Sequence, residues 1–257
     1  MLVAGLQLDI AWEDPEENFR RARLLAEAAA KDGARLLVLP EMFNTGFSMA
    51  GEKVSRHAEA TRAFLSELAG SLNAWVIAGY PDPASPRPRN AASLYSPQGR
   101  EAFRYHKIHP FSLAKEHEHY GAGDQLFTET IEGVRVTAAI CYDLRFPELF
   151  RARASDTDLF VVIANWPEKR REAWCTLLRA RAIENQCYVL GVNRVGAGGG
   201  LEYSGDSALL DPLGDTLATG ACESTAFVGV VEASKVAEAR KTFSFLADRR
   251  PDVYEKL

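Results

Sequence analysis

The sequence predicts an α/β fold in which mixed sheets are covered by helices. Short apolar segments typical of buried strands recur along the chain, and helical segments with capping signals lie between several of them. Turn signals at hairpin spacing separate other neighbouring strands, so some strand pairs are antiparallel. Two sheets covered by helices account for both observations.

The chain opens with a predicted strand, helix and strand. Residues 2–8 are apolar, and Asp14, Pro15 and Glu17 provide an N-cap, a proline at the first helical position and a capping-box glutamate. This helix ends before an apolar strand at 35–39. The later predicted elements are, in order, a helix at 56–69, a strand at 75–78, a proline-rich turn at 81–88, hairpin strands at 91–95 and 101–105, strands at 134–140 and 159–164, a helix at 168–184, strands at 187–192, 203–210 and 227–231, and a short C-terminal helix.

Length, charge and cysteine usage narrow the functional classes. We expect one domain over residues 1–257, with 242–257 as a C-terminal tail. A net charge of −5 without a basic cluster argues against nucleic acid as a partner, and no apolar run reaches membrane-spanning length. The first residues lack a signal-peptide pattern and the four cysteines are scattered, so we expect reduced thiols in the cytoplasm.

Three residues capable of catalysis follow predicted strands: Glu41, Lys107 and Cys141. Taken singly, each has an ordinary explanation as a solvated carboxylate, a surface lysine or a buried thiol. Functional groups gather outside the carboxyl ends of strands in α/β sheets. The three side chains are therefore expected to converge on one pocket.

The turn after Cys141 is the predicted position of a nucleophile. Pro147 suits the first turn of a following helix, whose N-terminus would favour a thiolate. The backbone N–H of Tyr142 would point toward an oxyanion formed beside the sulfur. The other cysteines are interpreted as buried structural thiols: Cys175, Cys187 and Cys222.

These segments resemble the three signatures of the nitrilase superfamily of carbon–nitrogen hydrolases. They are Leu-Pro-Glu-Met-Phe around Glu41, Tyr-His-Lys-Ile-His around Lys107 and Ile-Cys-Tyr-Asp-Leu-Arg-Phe-Pro-Glu around Cys141, in the family's order. The resemblance covers essentially the whole chain. It implies a four-layer α-β-β-α sandwich with two mixed sheets, a homodimer, and a Glu-Lys-Cys triad that needs no cofactor.

Within the superfamily the chain is similar to the ω-amidase branch, through Lys-Glu-His-Glu-His-Tyr at 115–120 and Ala-Asn-Trp-Pro-Glu-Lys-Arg at 164–170. Members of that branch hydrolyse the terminal amide of small dicarboxylate monoamides such as α-ketoglutaramate and succinamate. The alternatives with the same triad are deaminated-glutathione amidases, nitrilases and N-carbamoyl amino acid hydrolases. The non-enzyme alternative is a catalytically idle binding or scaffold protein on this fold.

The family also implies a second glutamate in the site. Glu116 lies seven residues before Gly123, as the family pattern requires, whereas the neighbouring Glu118 lies too close. Glu116 is therefore chosen, with Glu118 as the alternative.

The implied reaction is acyl transfer through a thioester. Cys141 attacks the amide carbonyl, and Glu41 takes the thiol proton and returns it to the departing ammonia. Lys107 and the Tyr142 N–H would stabilise the oxyanion. Water, activated by Glu41 and oriented with Glu116, would then release the acid.

A substrate with a free carboxylate needs a cation, and Arg145 is the nearest candidate, since its guanidinium can bind a carboxylate bidentately. The alternative role of Arg145 is an ion pair with Asp143 or Glu148. Asn165 and Trp166 follow another predicted strand and are expected to line the cleft, although Trp166 could equally pack in the core.

Other motifs point less clearly to function. His117 and His119 form His-x-His, but no further ligand cluster accompanies them, so no metal site is expected. Residues 196–200 are glycine-rich without a phosphate-binding pattern, and we interpret them as a flexible loop at the rim of the site. The surroundings of Cys141 lack the Gly-x-Cys-x-Gly of class I glutamine amidotransferases.

Overall fold

Two six-stranded mixed sheets stack face to face in the computed structural model, which describes residues 1–254 and 256. The strands are, in chain order, β1 (Leu2–Gln7), β2 (Leu36–Val38), β3 (Trp75–Asp82), β4 (Arg89–Tyr95), β5 (Glu101–His106), β6 (Thr128–Ile131), β7 (Val134–Ile140), β8 (Leu159–Ala164), β9 (Tyr188–Asn193), β10 (Val195–Gly198), β11 (Leu201–Ser204), β12 (Ala208–Leu210), β13 (Thr216–Thr219) and β14 (Thr225–Val230). The helices are α1 (Pro15–Lys31), α2 (Gly51–Val54), α3 (Ala58–Leu72), α4 (Glu116–His119), α5 (Pro147–Ala152), α6 (Arg171–Asn185), α7 (Ala233–Thr242) and α8 (Pro251–Tyr254).

Strand order determines where functional side chains can meet. The first sheet has the order β14-β1-β2-β3-β4-β5, in which β1, β2 and β3 are parallel and the later pairs antiparallel. The second has the order β13-β12-β9-β8-β7-β6, in which β7, β8 and β9 are parallel. The turns after β2 and β5 therefore lie at one edge of the first sheet, and those after β7 and β8 at one edge of the second.

Three apolar clusters separate four layers. One lies between the sheets, one between the first sheet and helices α1 and α3, and one between the second sheet and helices α5 and α6. Alternate residues of β2 serve different clusters: Leu36 and Val38 face the second sheet, and Leu37 faces the helices. The α-β-β-α sandwich expected from the family resemblance is confirmed.

The predicted strand at 203–210 is wrong. The chain instead forms β11 and β12, which belong to different sheets, and it turns between them with positive φ at Gly205 (74°) and Asp206 (53°). A Cβ at Gly205 would lie 2.2 Å from Gln7 Oε1. The backbone therefore bends where it packs against a buried amide, which alternation of apolar residues could not reveal.

The expected flexible loop at 196–200 is also wrong. The segment forms the β10–β11 hairpin, and its turn has positive φ at Gly199 (58°) and Gly200 (79°). The predicted proline-rich turn is shorter than expected, because β3 continues to Asp82 and β4 begins at Arg89. No helix within residues 1–254 and 256 is long and apolar enough to cross a membrane. Of the predicted C-terminal tail, residues 255 and 257 lie outside the described part.

Candidate active site

Cys141 lies at the carboxyl end of β7, where the chain leaves the second sheet. Its φ of 47° lies in the left-handed region, which is unfavourable for a residue with a side chain. Residues Cys141–Arg145 form a short 3-10 turn. Tyr142, the expected source of a backbone N–H, is therefore the next residue in the same turn.

Asp143 holds this turn in place through a buried carboxylate. Its Oδ2 accepts hydrogen bonds from the Ile140 N–H at 3.0 Å and the Tyr105 hydroxyl at 2.6 Å, and its Oδ1 accepts from the His109 N–H at 3.0 Å. Tyr105 and His109 lie two residues before and after Lys107. One carboxylate thus ties the turn after β7 to the segment that carries the lysine.

Glu41 follows β2 and is fully buried. Its Oε2 accepts from the backbone N–H of Asn165 at 2.8 Å, and its Oε1 accepts from Lys107 Nζ at 3.0 Å and Asn90 Nδ2 at 2.7 Å. Gly79 in β3 gives the glutamate room, because a Cβ there would lie 2.6 Å from the Glu41 Cα. Donors from β4, from the end of β5 and from the end of β8 therefore fix the carboxylate.

Lys107 follows β5, and its ammonium lies between two carboxylates. Nζ is 3.0 Å from Glu41 Oε1 and 2.8 Å from Glu116 Oε2, and the side chain is buried. Burial alone would lower the pKa of Lys107, but Glu116 and Glu41 outweigh it and raise the pKa above its usual value. The lysine is a permanent cation, suited to stabilise negative charge and not to act as a base.

The structure places Glu116 in this cluster and Glu118 at the surface. Glu116 is buried and accepts from Asn90 Nδ2 at 2.9 Å as well as from Lys107. Glu118 is exposed and pairs with Lys115 at 3.8 Å. Asn90 was not singled out in the sequence, where its signal is a polar residue at the start of an otherwise apolar strand segment.

The Cys141 thiol is protonated in the resting site. Burial and the Glu41 carboxylate raise the pKa of Cys141 well above its usual value, and Lys107 opposes them only in part. The expectation that a helix N-terminus favours the thiolate is wrong: α5 begins at Pro147, as expected, but burial and the Glu41 carboxylate outweigh any effect of the helix on the pKa of the thiol. Attack by the sulfur therefore requires a base, and the Glu41 carboxylate lies beside it.

The remaining cysteines differ from one another. Cys187 is buried, as expected, but Cys175 and Cys222 are exposed, so the interpretation as buried structural thiols is wrong for these two. Cys175 follows the buried Trp174 on α6, and one residue turns a helix by about 100° toward solvent. All four cysteines are free thiols.

A cavity of about 70 Å³ opens above Cys141. Two guanidinium groups line it: Arg145 lies 4.8 Å from the Trp166 ring centroid, and Arg170 lies 5.3 Å from the Phe111 ring centroid. Within the part of the chain that the structure describes, neither group forms an ion pair. The other side chains lining the cavity are mainly apolar and include Phe47, Tyr142, Asn165, Leu201 and Tyr203.

Arg145 was expected either to bind a substrate carboxylate or to form an ion pair with Asp143 or Glu148, and the structure argues against the ion pair. Asp143 accepts from Tyr105 and His109 instead of pairing with the arginine, and Glu148 is exposed on α5. Trp166 combines both expected roles, since it is buried among core residues and also lines the cavity. Arg170 was not singled out from the sequence; its signal was the Asn-Trp-Pro-Glu-Lys-Arg segment itself.

Among the described residues, no group of three or more His, Cys, Asp or Glu side chains is arranged to bind a metal ion. His117 and His119 are exposed on α4.

The class of the chain follows from comparison with known proteins. The sequence model of the carbon–nitrogen hydrolase family matches residues 2–241. This chain belongs to the carbon–nitrogen hydrolase family. The hydrolase is 32% identical to 2-oxoglutaramate amidase of Bacillus subtilis (strain 168), over 98% of each chain, and 37% identical to omega-amidase YafV of Escherichia coli (strain K12), over 84% of each chain.

The fold of the hydrolase is similar to the crystal structure of XC1258 from Xanthomonas campestris, a CN-hydrolase superfamily protein with an arsenic adduct in the active site. The TM-score is 0.92 and the identity 34%, over 97% of each chain. The relationship to the nitrilase superfamily and its ω-amidase branch, predicted from the motifs, is confirmed, as is the interpretation of the chain as an enzyme.

Proposed function

We propose that this hydrolase is an ω-amidase, which hydrolyses the terminal amide of small dicarboxylate monoamides such as α-ketoglutaramate and succinamate. The observation that carries the proposal is a small cavity lined by the Cys141 thiol, the Lys107 ammonium and the guanidinium groups of Arg145 and Arg170. Similarity to 2-oxoglutaramate amidase and omega-amidase YafV supports the same substrate class.

Acylation begins at the protonated thiol. Glu41 takes the proton as the sulfur of Cys141 bonds to the amide carbon, and the carbonyl oxygen becomes an oxyanion. The Lys107 ammonium and the Tyr142 N–H stabilise that oxyanion, and each such donor contributes about 2.7–4 kcal/mol to lowering a barrier of this kind. The carbon–nitrogen bond then breaks, Glu41 returns the proton to the leaving ammonia, and a thioester remains.

Deacylation uses the same groups in reverse order. Glu41 removes a proton from water while Glu116 orients the water, and the hydroxide oxygen bonds to the thioester carbon. The carbon–sulfur bond breaks, the acid leaves, and Glu41 returns the proton to Cys141. The assigned residues therefore complete the cycle without a cofactor.

Carboxylate recognition is assigned to Arg145, with Arg170 as a second cation on the same cavity wall. Both side chains stack on aromatic rings, which orients a planar guanidinium while leaving its N–H groups free to donate. A carboxylate bound there would replace solvent around two cations. The uncharged chain between carboxylate and amide would then contact aromatic walls such as Trp166.

The proposed reaction is tested with three substrates and one variant. Succinamate should release ammonia, a nitrile and an N-carbamoyl amino acid should not, and mass spectrometry should detect a thioester on the peptide that contains Cys141. Cys141→Ala should abolish turnover and the adduct. Turnover of the nitrile or the carbamoyl compound without succinamate would replace the proposed substrate class.

Substrate charge selection is tested with Arg145→Met. Loss of a charge-assisted pair costs about 1.5–3 kcal/mol, so kcat/KM for succinamate should fall about 10- to 150-fold. The uncharged amide propionamide should be affected little, because it has no carboxylate to bind. Arg171→Met, which removes an exposed arginine paired with Asp206, is the matched control. Equal losses for both substrates would contradict the assignment.

We also propose that the chain is a single domain over 1–257 that works as a cytoplasmic homodimer, with the tail at 242–257 packing at the subunit contact. The free thiols support a reducing compartment. The exposed Phe243, 68% accessible, and Leu213, 70% accessible, support a covered surface near the tail. Light scattering of the full chain and of a chain ending at residue 241 tests the dimer.

A further inference from the structure

The side-chain amide of Asn90 joins the two glutamates of the site. Its Nδ2 donates to Glu41 Oε1 at 2.7 Å and to Glu116 Oε1 at 2.9 Å, so both hydrogens of one nitrogen are used on two carboxylates. The residue is 1% exposed. We propose that Asn90 is a positioning residue of the hydrolytic reaction, which holds Glu41 in place to exchange protons first with the thiol and later with water.

Lys107 completes a closed ring with this amide. The ammonium binds Glu41 Oε1 and Glu116 Oε2, while the amide binds Glu41 Oε1 and Glu116 Oε1. Two buried carboxylates repel each other, and a single ammonium between them could let either one rotate. The second link fixes the relative orientation of the two carboxylates without adding a charge.

The main chain of Asn90 positions Lys107 as well. The backbone carbonyl of Asn90 accepts from the Lys107 N–H at 2.9 Å, next to the paired residues Ala91 and His106 of β4 and β5. One residue therefore sets the position of the lysine through its backbone and of both glutamates through its side chain.

The hydrogen bonds of the Asn90 side chain are directed at the two carboxylates of the site. Its Oδ1 is buried and has no hydrogen-bond donor among the described residues, whereas its Nδ2 has two acceptors that are both ionisable. The Oδ1 of the buried Asn185 has no donor among the described residues either, but its Nδ2 donates to the uncharged carbonyl of Arg181. The geometry therefore favours a role directed at the carboxylates.

Other titratable groups face Glu41 and Glu116, and their pKa values decide which part of a pH–activity profile they can affect. They are Lys107, Cys141, Tyr120 and Tyr203. Burial, with added repulsion from Glu41, raises the pKa of both tyrosines. The pKa of Tyr203 is raised to about 12. Lys107 is a permanent cation. A change in the acidic limb of the profile therefore reports on the carboxylates.

The inference rests on the proposed function and is tested with Asn90→Ala and Asn90→Asp on succinamate. Misplacing a catalytic group by about 1 Å costs about 10²-fold, so kcat of Asn90→Ala should fall by about that factor with little change in KM. Asn90→Asp adds a third carboxylate beside Glu41 and Glu116. Its kcat at neutral pH should be lower still, and its acidic limb should move to higher pH.

Asn185→Ala is the matched control, because Asn185 is a buried asparagine at the end of α6 that donates to the Arg181 carbonyl. It should lose thermal stability as Asn90→Ala does but keep its kcat. A kcat of Asn90→Ala within about threefold of the wild type, or an equal loss in Asn185→Ala, would overturn the inference.

A second readout separates failure of this inference from failure of the proposed function. If the wild type hydrolyses no amide, the proposed function fails, and the rate of Cys141 alkylation by iodoacetamide is then followed against pH by peptide mapping. A shifted pH dependence in Asn90→Ala supports the positioning role, because Glu41 serves as base for the thiol in that reaction too. An unchanged dependence overturns it.

Discussion

The buried charges of the site consist of two carboxylates, Glu41 and Glu116, and one ammonium, Lys107. Each carboxylate is stabilised by hydrogen bonds to its charged form, and the ammonium is shared between them. Removing one member of such a buried set leaves its partners uncompensated, which costs more than the pair itself contributes. Substitutions here therefore affect activity and stability together, and near-isosteric changes are the informative ones.

Glu116→Gln and Glu118→Gln should behave differently. Glu116→Gln retains the side-chain shape but removes a charge from the Lys107 ammonium and places an amide against Asn90, so kcat should fall about 10²-fold. Glu118→Gln changes an exposed residue and should keep wild-type activity. Ammonia release from succinamate measures both. Inactivity of Glu118→Gln alone would reassign the second glutamate.

At the scale of elements, the site depends on strands that approach closely at their carboxyl ends. β3 passes beneath the turn that carries Glu41, and Gly79 accepts the Phe43 N–H at 2.9 Å through its carbonyl. The close approach is possible only without a Cβ, which would lie 2.6 Å from the Glu41 Cα and 2.7 Å from Ile163 Cδ1. The glycine therefore determines how near the first sheet brings its catalytic turn to the second.

Gly79→Ala should displace the Glu41 turn and lower both thermal stability and kcat, because the added methyl group meets backbone atoms that cannot rotate away. The control is Gly70→Ala in α3, where a Cβ meets nothing within 4 Å. That variant should gain about 0.5–1 kcal/mol of stability and keep its activity. Thermal unfolding and succinamate turnover measure both, and a fully active Gly79→Ala enzyme would contradict the explanation.

At the scale of the whole molecule, the apolar cluster between the second sheet and helices α5 and α6 contains Cys187, a second thiol with a raised pKa. Burial raises the pKa of Cys187 from 9.0 to about 12. The folded protein therefore keeps this thiol protonated where the unfolded chain loses the proton. Its contribution to stability is complete below about pH 9 and is lost progressively as the pH rises toward 12.

Between about pH 8 and about pH 10, this thiol should lower the free energy of unfolding by about 1.4 kcal/mol. Cys187→Ala should show a correspondingly smaller decrease over the same range, whatever its stability at neutral pH. Cys222→Ala removes an exposed thiol and should behave as the wild type does. Urea unfolding at both pH values measures the difference, and equal decreases in wild type and Cys187→Ala would contradict the expected ionisation.

Much of the site was predictable because its residues lie next to local patterns. Glu41, Lys107 and Cys141 each follow a strand, and apolar strands can be recognised from a few neighbouring residues. Family signatures around the same residues then predicted the sandwich. Asn90 carries no such pattern, because its importance depends on what it faces and not on its neighbours in sequence.

The sequence by itself determined the layers, the strand ends and the type of chemistry, since periodicity and short motifs are local properties. The tertiary structure decided the ionisation of Cys141 and the choice of Glu116, because both depend on residues brought together from distant parts of the chain. The Glu41 carboxylate accepts from the Asn165 N–H, 124 positions along the chain. Burial and this neighbouring carboxylate raise the pKa of the Cys141 thiol, where the local turn alone had indicated a thiolate.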